Sequence, residues 1–135
     1  MVKPIGETFG YPKWLERAVG IATTSSYDKW RIGAVVVKGG AVQSSGVNSL
    51  KIDPLYLDDH SNCSIHAEIA ALKTMRDNHL QYKAKGCTIY VARLLRGGGI
   101  GLAKPCYNCQ EILSYASIKQ AVFTIDNHTH GVWKP

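Results

Sequence analysis

The sequence predicts an α/β fold in which a mixed sheet carries helices on both faces. Three observations lead there. A valine-rich run is followed by a glycine pair and a second extended run (Ile32–Ser45), two further apolar runs appear at Thr88–Ala92 and Gln120–Ile125, and amphipathic stretches separate them. Strands that alternate with helices from residue 85 onward are the pattern of a sheet covered on both sides.

Taken in order, Pro12 opens an amphipathic helix through Trp14, Leu15, Ala18, Val19 and Ala22, with proline in its first turn. Ile32–Lys38 and Ala41–Ser45 read as two strands joined by a tight turn at Gly39-Gly40. Residues 48–62 mix Asp, Pro, Asn and Ser and read as a long loop, a kind of segment that often carries function. Ser61 or Ser64 is placed to cap a second helix bearing Ile65, Ile69, Leu72 and Met75. Thr88–Ala92 is a buried strand, Gly97–Gly101 a flexible connector, and Cys106 the start of a third helix with Ile112, Leu113 and Ala116 on its apolar side. Gln120–Ile125 is the next strand, and the tail offers a short returning strand through Val132 and Trp133.

The chain length fits one domain over residues 1–135, and 45% hydrophobic with 19% charged content is ordinary for a globular protein. No run of about 18 apolar residues is present, which excludes a transmembrane helix of the usual length. The first eight residues lack the apolar core of a secretory signal, so a cytoplasmic location is expected, where cysteines serve as ligands or free thiols. On the same ground the glycosylation sequons at Asn62 and Asn127 are discounted. The net charge of +6 suits an anionic partner or simply a solvated surface, and its even spread does not choose between a mononucleotide and a polynucleotide.

Two segments carry chemistry: His66-Ala67-Glu68 and Pro105-Cys106-Tyr107-Asn108-Cys109, each at a predicted helix start. Three residues apart, the two cysteines face the same side of a first helical turn, and a helix N-terminus stabilises thiolates. His66, at the start of the other helix, is a candidate for a third zinc ligand. Three protein ligands leave a fourth position for water, whose pKa zinc lowers to about 7, and such a site needs a proton carrier. On a regular helix Glu68 stands about 200° round from His66, so it is expected to approach from another direction, as a carrier would. A Cys-x-x-Cys pair alone also fits half of a structural zinc site or a redox pair. Cys63, Cys87, His60, His128 and His130 are available in the sequence as a fourth ligand. Cys63 and Cys87 read better as buried small apolar residues.

At these residues the chain resembles the cytidine and deoxycytidylate deaminase superfamily, whose signature is H-x-E followed by P-C-x-x-C. The order of elements from Pro12 to Ile125 fits as well. The resemblance implies a three-layer α/β/α sandwich around a five-stranded mixed sheet. It implies a Zn2+ cofactor held by His66, Cys106 and Cys109, and hydrolytic loss of the exocyclic amine at C4 of a cytosine ring, with Glu68 moving protons. It also implies substrate contacts from Asn48, toward the sugar, and from the Ala67 backbone, toward the base. Asn48 reads otherwise as a turn-forming asparagine. A homo-oligomer is implied, with a small-molecule nucleoside or nucleotide as substrate.

Two departures from the superfamily bear on that substrate. Thirteen residues, Ala92 to Lys104, separate Val91 from Pro105, where many relatives pass almost directly from strand to Pro-Cys. This insertion is expected beside the pocket as a lid or phosphate-binding loop, with Arg93, Arg96 and Lys104 as candidate cations. Second, about ten residues follow Ile125, too few for a helix and strand. An antiparallel fifth strand, as in free-nucleoside cytidine deaminases, is expected instead, with Trp133 packed in the core or stacked on a base. Single-stranded nucleic acid remains the competing substrate, with Tyr56, Tyr107 and Trp133 as stacking surfaces. A zinc-stabilised module without activity is the third reading, disfavoured by an intact Glu68.

Overall fold

The computed structural model describes residues 9–26, 30–49 and 66–135. Strands β1 (Trp30–Lys38) and β2 (Ala41–Val47) form an antiparallel hairpin. Gly39 and Gly40 close it at φ of 60° and 76°, the left-handed values that a two-residue hairpin turn requires. β1 also pairs antiparallel with β3 (Thr88–Leu95), and β3 pairs parallel with β5 (Gln120–Thr124). β6 (His130–Trp133) returns antiparallel along β5, so the path across the sheet is β2-β1-β3-β5-β6.

Alternate residues of the central strands enter opposite cores, as a sheet covered on both faces demands. Ala34, Val36, Ile89, Val91, Ala121 and Phe123 join one core with Ala67, Ala71, Leu72 and Met75 of helix α2 (Ala67–Asp77) and Leu113 of α3 (Tyr107–Tyr115). Val35, Val37, Ala92, Leu94 and Val122 join the other with Leu15, Ala18 and Ala22 of α1 (Lys13–Ala22). Helices therefore cover both faces, α1 on one side and α2 with α3 on the other. No helix among the described residues is long and apolar enough to cross a membrane.

The expected five-stranded sheet is corrected to six strands. Ile100–Gly101 forms a short strand, β4, antiparallel to Arg93–Leu94 of β3, in the segment expected to be a flexible connector. The glycines suggested flexibility, but Gly98 sits at φ 90° and supplies the turn that lets the chain reverse after Leu95. The Leu95 N–H donates to the Gly99 carbonyl at 2.7 Å and the Gly98 N–H to the Leu95 carbonyl at 2.9 Å, closing the hairpin. The insertion is thus largely an extension of β3 and its return. The tail strand through Val132 and Trp133 is present as expected.

One close approach positions the site. A Cβ on Gly46 would lie 2.5 Å from the Ala71 nitrogen and 2.8 Å from the Ala67 carbonyl oxygen, so α2 lies directly on the β2 backbone. Ser44, two residues earlier on the same strand face, donates its hydroxyl to the Ala71 carbonyl at 2.7 Å.

Candidate active site

α3 is part of the crossover between the parallel strands β3 and β5, so its N-terminus opens at their carboxyl ends, where α/β sheets bind ligands. α2 presents its own N-terminus to the same place. His66 is the N-cap of α2 and Cys106 the N-cap of α3, both with extended backbones (φ −73°, ψ 152° and φ −68°, ψ 169°). The expected capping serines, Ser61 and Ser64, lie outside the described residues, as do Ile65, His60 and Cys63.

The two caps bring the predicted ligands together. The Nδ1 of His66 lies 3.1 Å from the Cys109 sulfur and 3.5 Å from that of Cys106. With Zn–S near 2.3 Å and Zn–N near 2.0–2.1 Å, tetrahedral ligands stand roughly 3.5 Å apart, so these donors match one zinc-sized centre. Among the described residues this is the one group of three or more His, Cys, Asp or Glu side chains arranged to hold a metal ion. Among the described residues the alternative fourth ligands lie elsewhere: Cys87 is buried and directs its thiol to the Lys83 carbonyl at 3.0 Å, and His128 and His130 are exposed near the β5–β6 turn.

The electrostatics suit a thiolate pair. Hydrogen bonding from Cys109, then from His66, pulls the Cys106 thiol down to about 4, which favours its thiolate form. Cys109 is pushed up by sharing its proton with Cys106, by burial and by the Glu68 charge. Both cysteines bind a metal as thiolates, so metal binding is coupled to proton release.

Glu68 corrects a step of helical reasoning. The 200° offset assumed that His66 lies within the helix, but it caps the helix from outside, so the helical wheel does not relate the two. The Glu68 carboxyl is 4% exposed and lies in hydrogen-bonding reach of the Cys109 thiol, next to the ligand cluster. Burial raises its pKa above the ordinary carboxylate range, while its own backbone N–H and the His66 charge pull the other way.

The remaining predicted contacts separate. Ala67 is the first residue of α2 and fully buried, with its amide in the first turn beside the ligands. Asn48 is 3% exposed, and its Oδ1 accepts the Ile32 N–H at 2.8 Å and the Ser25 hydroxyl at 2.6 Å, which ties the end of β2 to the start of β1. Arg93 is half-buried on β3 and alternates in phase with Ile89 and Val91, on the face that carries α2 and α3. Lys104 is exposed two residues before Cys106. Trp133 packs on the core beneath α2 and α3, whereas Tyr107 stands 72% exposed; Tyr56 lies outside the described residues. Sequence reasoning passed over two polar groups that hold the approach to Cys106, Thr124 and Gln110. Neither carries a signal in the sequence, because their partners are backbone atoms distant in the chain or behind a helix start.

Residues 11–125 match the family model described as the cytidine and deoxycytidylate deaminase zinc-binding region. The chain belongs to this family. The family's zinc-binding region and the convergence of His66, Cys106 and Cys109 thus agree on the cofactor. Among solved structures, the fold is similar to cytidine deaminase from Burkholderia pseudomallei (TM-score 0.64, 19% identity, 89% of this chain and 88% of that chain). It is also similar to dCMP deaminase from the cyanophage S-TIM5 in complex with dCMP and dUMP (TM-score 0.60, 21% identity, 82% and 76%). Cytidine deaminase from Mycobacterium leprae is a third such structure (TM-score 0.56, 16% identity, 92% and 94%). At these identities the likeness is one of fold. No curated protein matched the chain.

Proposed function

We propose that residues 1–135 form one catalytic domain, a zinc-dependent hydrolase that converts a free cytosine nucleoside or nucleotide (cytidine, deoxycytidine or dCMP) to its uracil form with release of ammonia. The observation that carries this reading is a buried carboxylate, Glu68, set against a metal centre to which the described residues bring three donors. When bound, zinc supplies the acidity that makes water a nucleophile near neutral pH. The net reaction exchanges a C4–N bond for a C4–O bond, with one water consumed and one ammonia released.

The chain's own residues then have definite tasks. Glu68 carries two protons in turn, the first from the attacking water to the ring nitrogen and the second from the oxygen newly bonded to C4 to the departing amine, a role suited to a carboxylate whose affinity for protons is raised by burial. Cys106 and Cys109 hold negative charge at the positive end of α3, which keeps the centre close to neutral once the metal is in place. The Ala67 amide, unpaired within the first helical turn by geometry, is the proposed contact to the base. Asn48, held at the end of β2 by the Ile32 N–H and the Ser25 hydroxyl that its Oδ1 accepts, is the proposed contact to the sugar.

Arg93 and Lys104 are the proposed contacts to a 5′-phosphate, supported by the face on which Arg93 lies and by the closeness of Lys104 to Cys106. The dCMP-bound neighbour supports a small molecule as substrate. The antiparallel β6 supports the free-nucleoside branch. The proposed homo-oligomer is supported by exposed apolar groups such as Leu102, Tyr115 and Val132.

The deciding experiment incubates the purified zinc-loaded protein with cytidine, deoxycytidine, their 5′-monophosphates and a cytosine-containing single-stranded oligonucleotide, and follows ammonia. Turnover of a free nucleoside or nucleotide is expected. Turnover of the oligonucleotide alone would transfer the function to nucleic acid, and none on any substrate would leave an inert zinc module.

A further inference from the structure

The short run Gly101–Cys106 carries the first cysteine from the sheet to α3, and it has no regular structure of its own beyond Gly101. It is nevertheless tied at three points. The Thr124 hydroxyl donates to the Gly101 carbonyl at 2.8 Å and accepts the Arg93 N–H at 3.2 Å. The Thr124 carbonyl accepts the Ala103 N–H at 2.9 Å. At the far end the Gln110 side-chain amide donates back to the Pro105 carbonyl at 2.9 Å, across the first turn of α3.

Thr124 is the last residue of β5 and is fully buried. It stands where β5 stops pairing with β3 at Val91 and β4 takes over at Arg93. Its hydroxyl fills that gap in the ladder, serving as acceptor to one strand and donor to the other in place of a peptide group. A valine there would match the shape but leave a part-buried N–H and a part-buried C=O without this partner.

Building on the zinc reading above, we propose that Thr124, with Gln110, is a positioning residue for the metal centre. The pair holds Gly101–Cys106 so that the Cys106 sulfur meets His66 and Cys109 at the observed spacing. Neither side chain is a metal ligand; each acts through backbone. Partners of this kind shift metal affinity by about 10–100-fold when removed.

The test compares Thr124→Val, Thr124→Ser and Gln110→Leu with the unaltered chain. It measures zinc affinity by chelator competition and the visible spectrum of the cobalt-substituted protein, which reports ligand geometry without any turnover. Thr124→Val is expected to weaken zinc by about tenfold or more and to alter the cobalt bands. Thr124→Ser, which keeps the hydroxyl, is expected to restore both. Zinc affinity and cobalt bands unchanged in Thr124→Val, or a serine variant as impaired as the valine one, would overturn the proposal. If Thr124→Val does not fold, Gln110→Leu decides: weakened zinc at an unchanged melting temperature supports the role, and unchanged affinity removes it. An unaltered chain that binds no zinc would defeat the zinc reading itself, a result distinct from any of these.

Discussion

Substituting Gly46 by alanine tests how the sheet sets the position of the catalytic helix. The added methyl would lie 2.5 Å from the Ala71 nitrogen and 2.8 Å from both the Ala67 oxygen and the Ala70 carbonyl carbon. All three are backbone atoms, so no side chain can rotate out of the way. Restoring ordinary contact, which begins at 3.4 Å, lifts α2 from β2 by close to an ångström. The Ser44–Ala71 hydrogen bond, now 2.7 Å, would lengthen past useful range. Overpacking of this kind costs about 1–3 kcal/mol and a lost buried hydrogen bond about 1 more. At about 4 °C per kcal/mol for a chain of this size, melting falls by roughly 8–16 °C.

The functional effect is expected to exceed the effect on stability. His66 and Glu68 ride on α2, while Cys106 and Cys109 ride on α3, so the shift separates ligands that now lie 3.1 Å and 3.5 Å apart. A displacement of about 1 Å at a catalytic constellation costs about 100-fold in rate. Circular dichroism melting of the zinc-loaded protein, zinc competition and ammonia release read the three consequences. A Gly46→Ala protein that melts within about 2 °C of the parent, with the same zinc affinity, would refute the direct seating of α2 on β2.

Replacing Glu68 by glutamine keeps shape but ends proton transfer; turnover is expected to fall about 100–10,000-fold, with zinc content by metal analysis unchanged. Cys109→Ser or His66→Ala is expected to lower zinc content well below the about one ion per chain of the parent, and a chelator is expected to abolish turnover until zinc is restored. Tyr11 gives a pH test: burial first, then Asp126 and Glu16, push its phenol up to about 12, and its hydroxyl donates to the Asp126 carbonyl. The fold thus favours the protonated phenol. This contribution is complete below about pH 10, the unfolded value, and is lost as pH rises through about 12. Urea midpoints measured between those values are expected to decline more steeply for the parent than for Tyr11→Phe; parallel curves would count against the assignment.

Much of this architecture was legible because it rests on local patterns. The valine-rich run Ile32–Lys38 and the glycine pair after it point to a hairpin, and the apolar periodicity of Leu15, Ala18 and Ala22 points to a helix. The ligand trio was legible for the same reason: each half of it is a short motif at a helix start. What escaped the sequence depends on tertiary approach. Nothing local distinguishes a glycine that makes a turn, Gly98, from one that admits a helix, Gly46, or from a flexible connector. The angle between His66 and Glu68 was not legible because a capping residue and a first-turn residue obey different backbone geometry, and the helix start is not marked in the sequence.

The placement of the three donors has a consequence for how the protein is made. His66 and Cys109 are 43 positions apart in the chain and reach each other only when two helices are docked on a finished sheet. An ion held between them is a cross-link that closes a long loop, and it is available only to the folded form. Metal supply and folding are then one equilibrium: free zinc at about a thousandfold over its dissociation constant adds about 4 kcal/mol to the native state. A cell short of zinc would hold less of this protein intact, so loss of the cofactor would show first as loss of the chain.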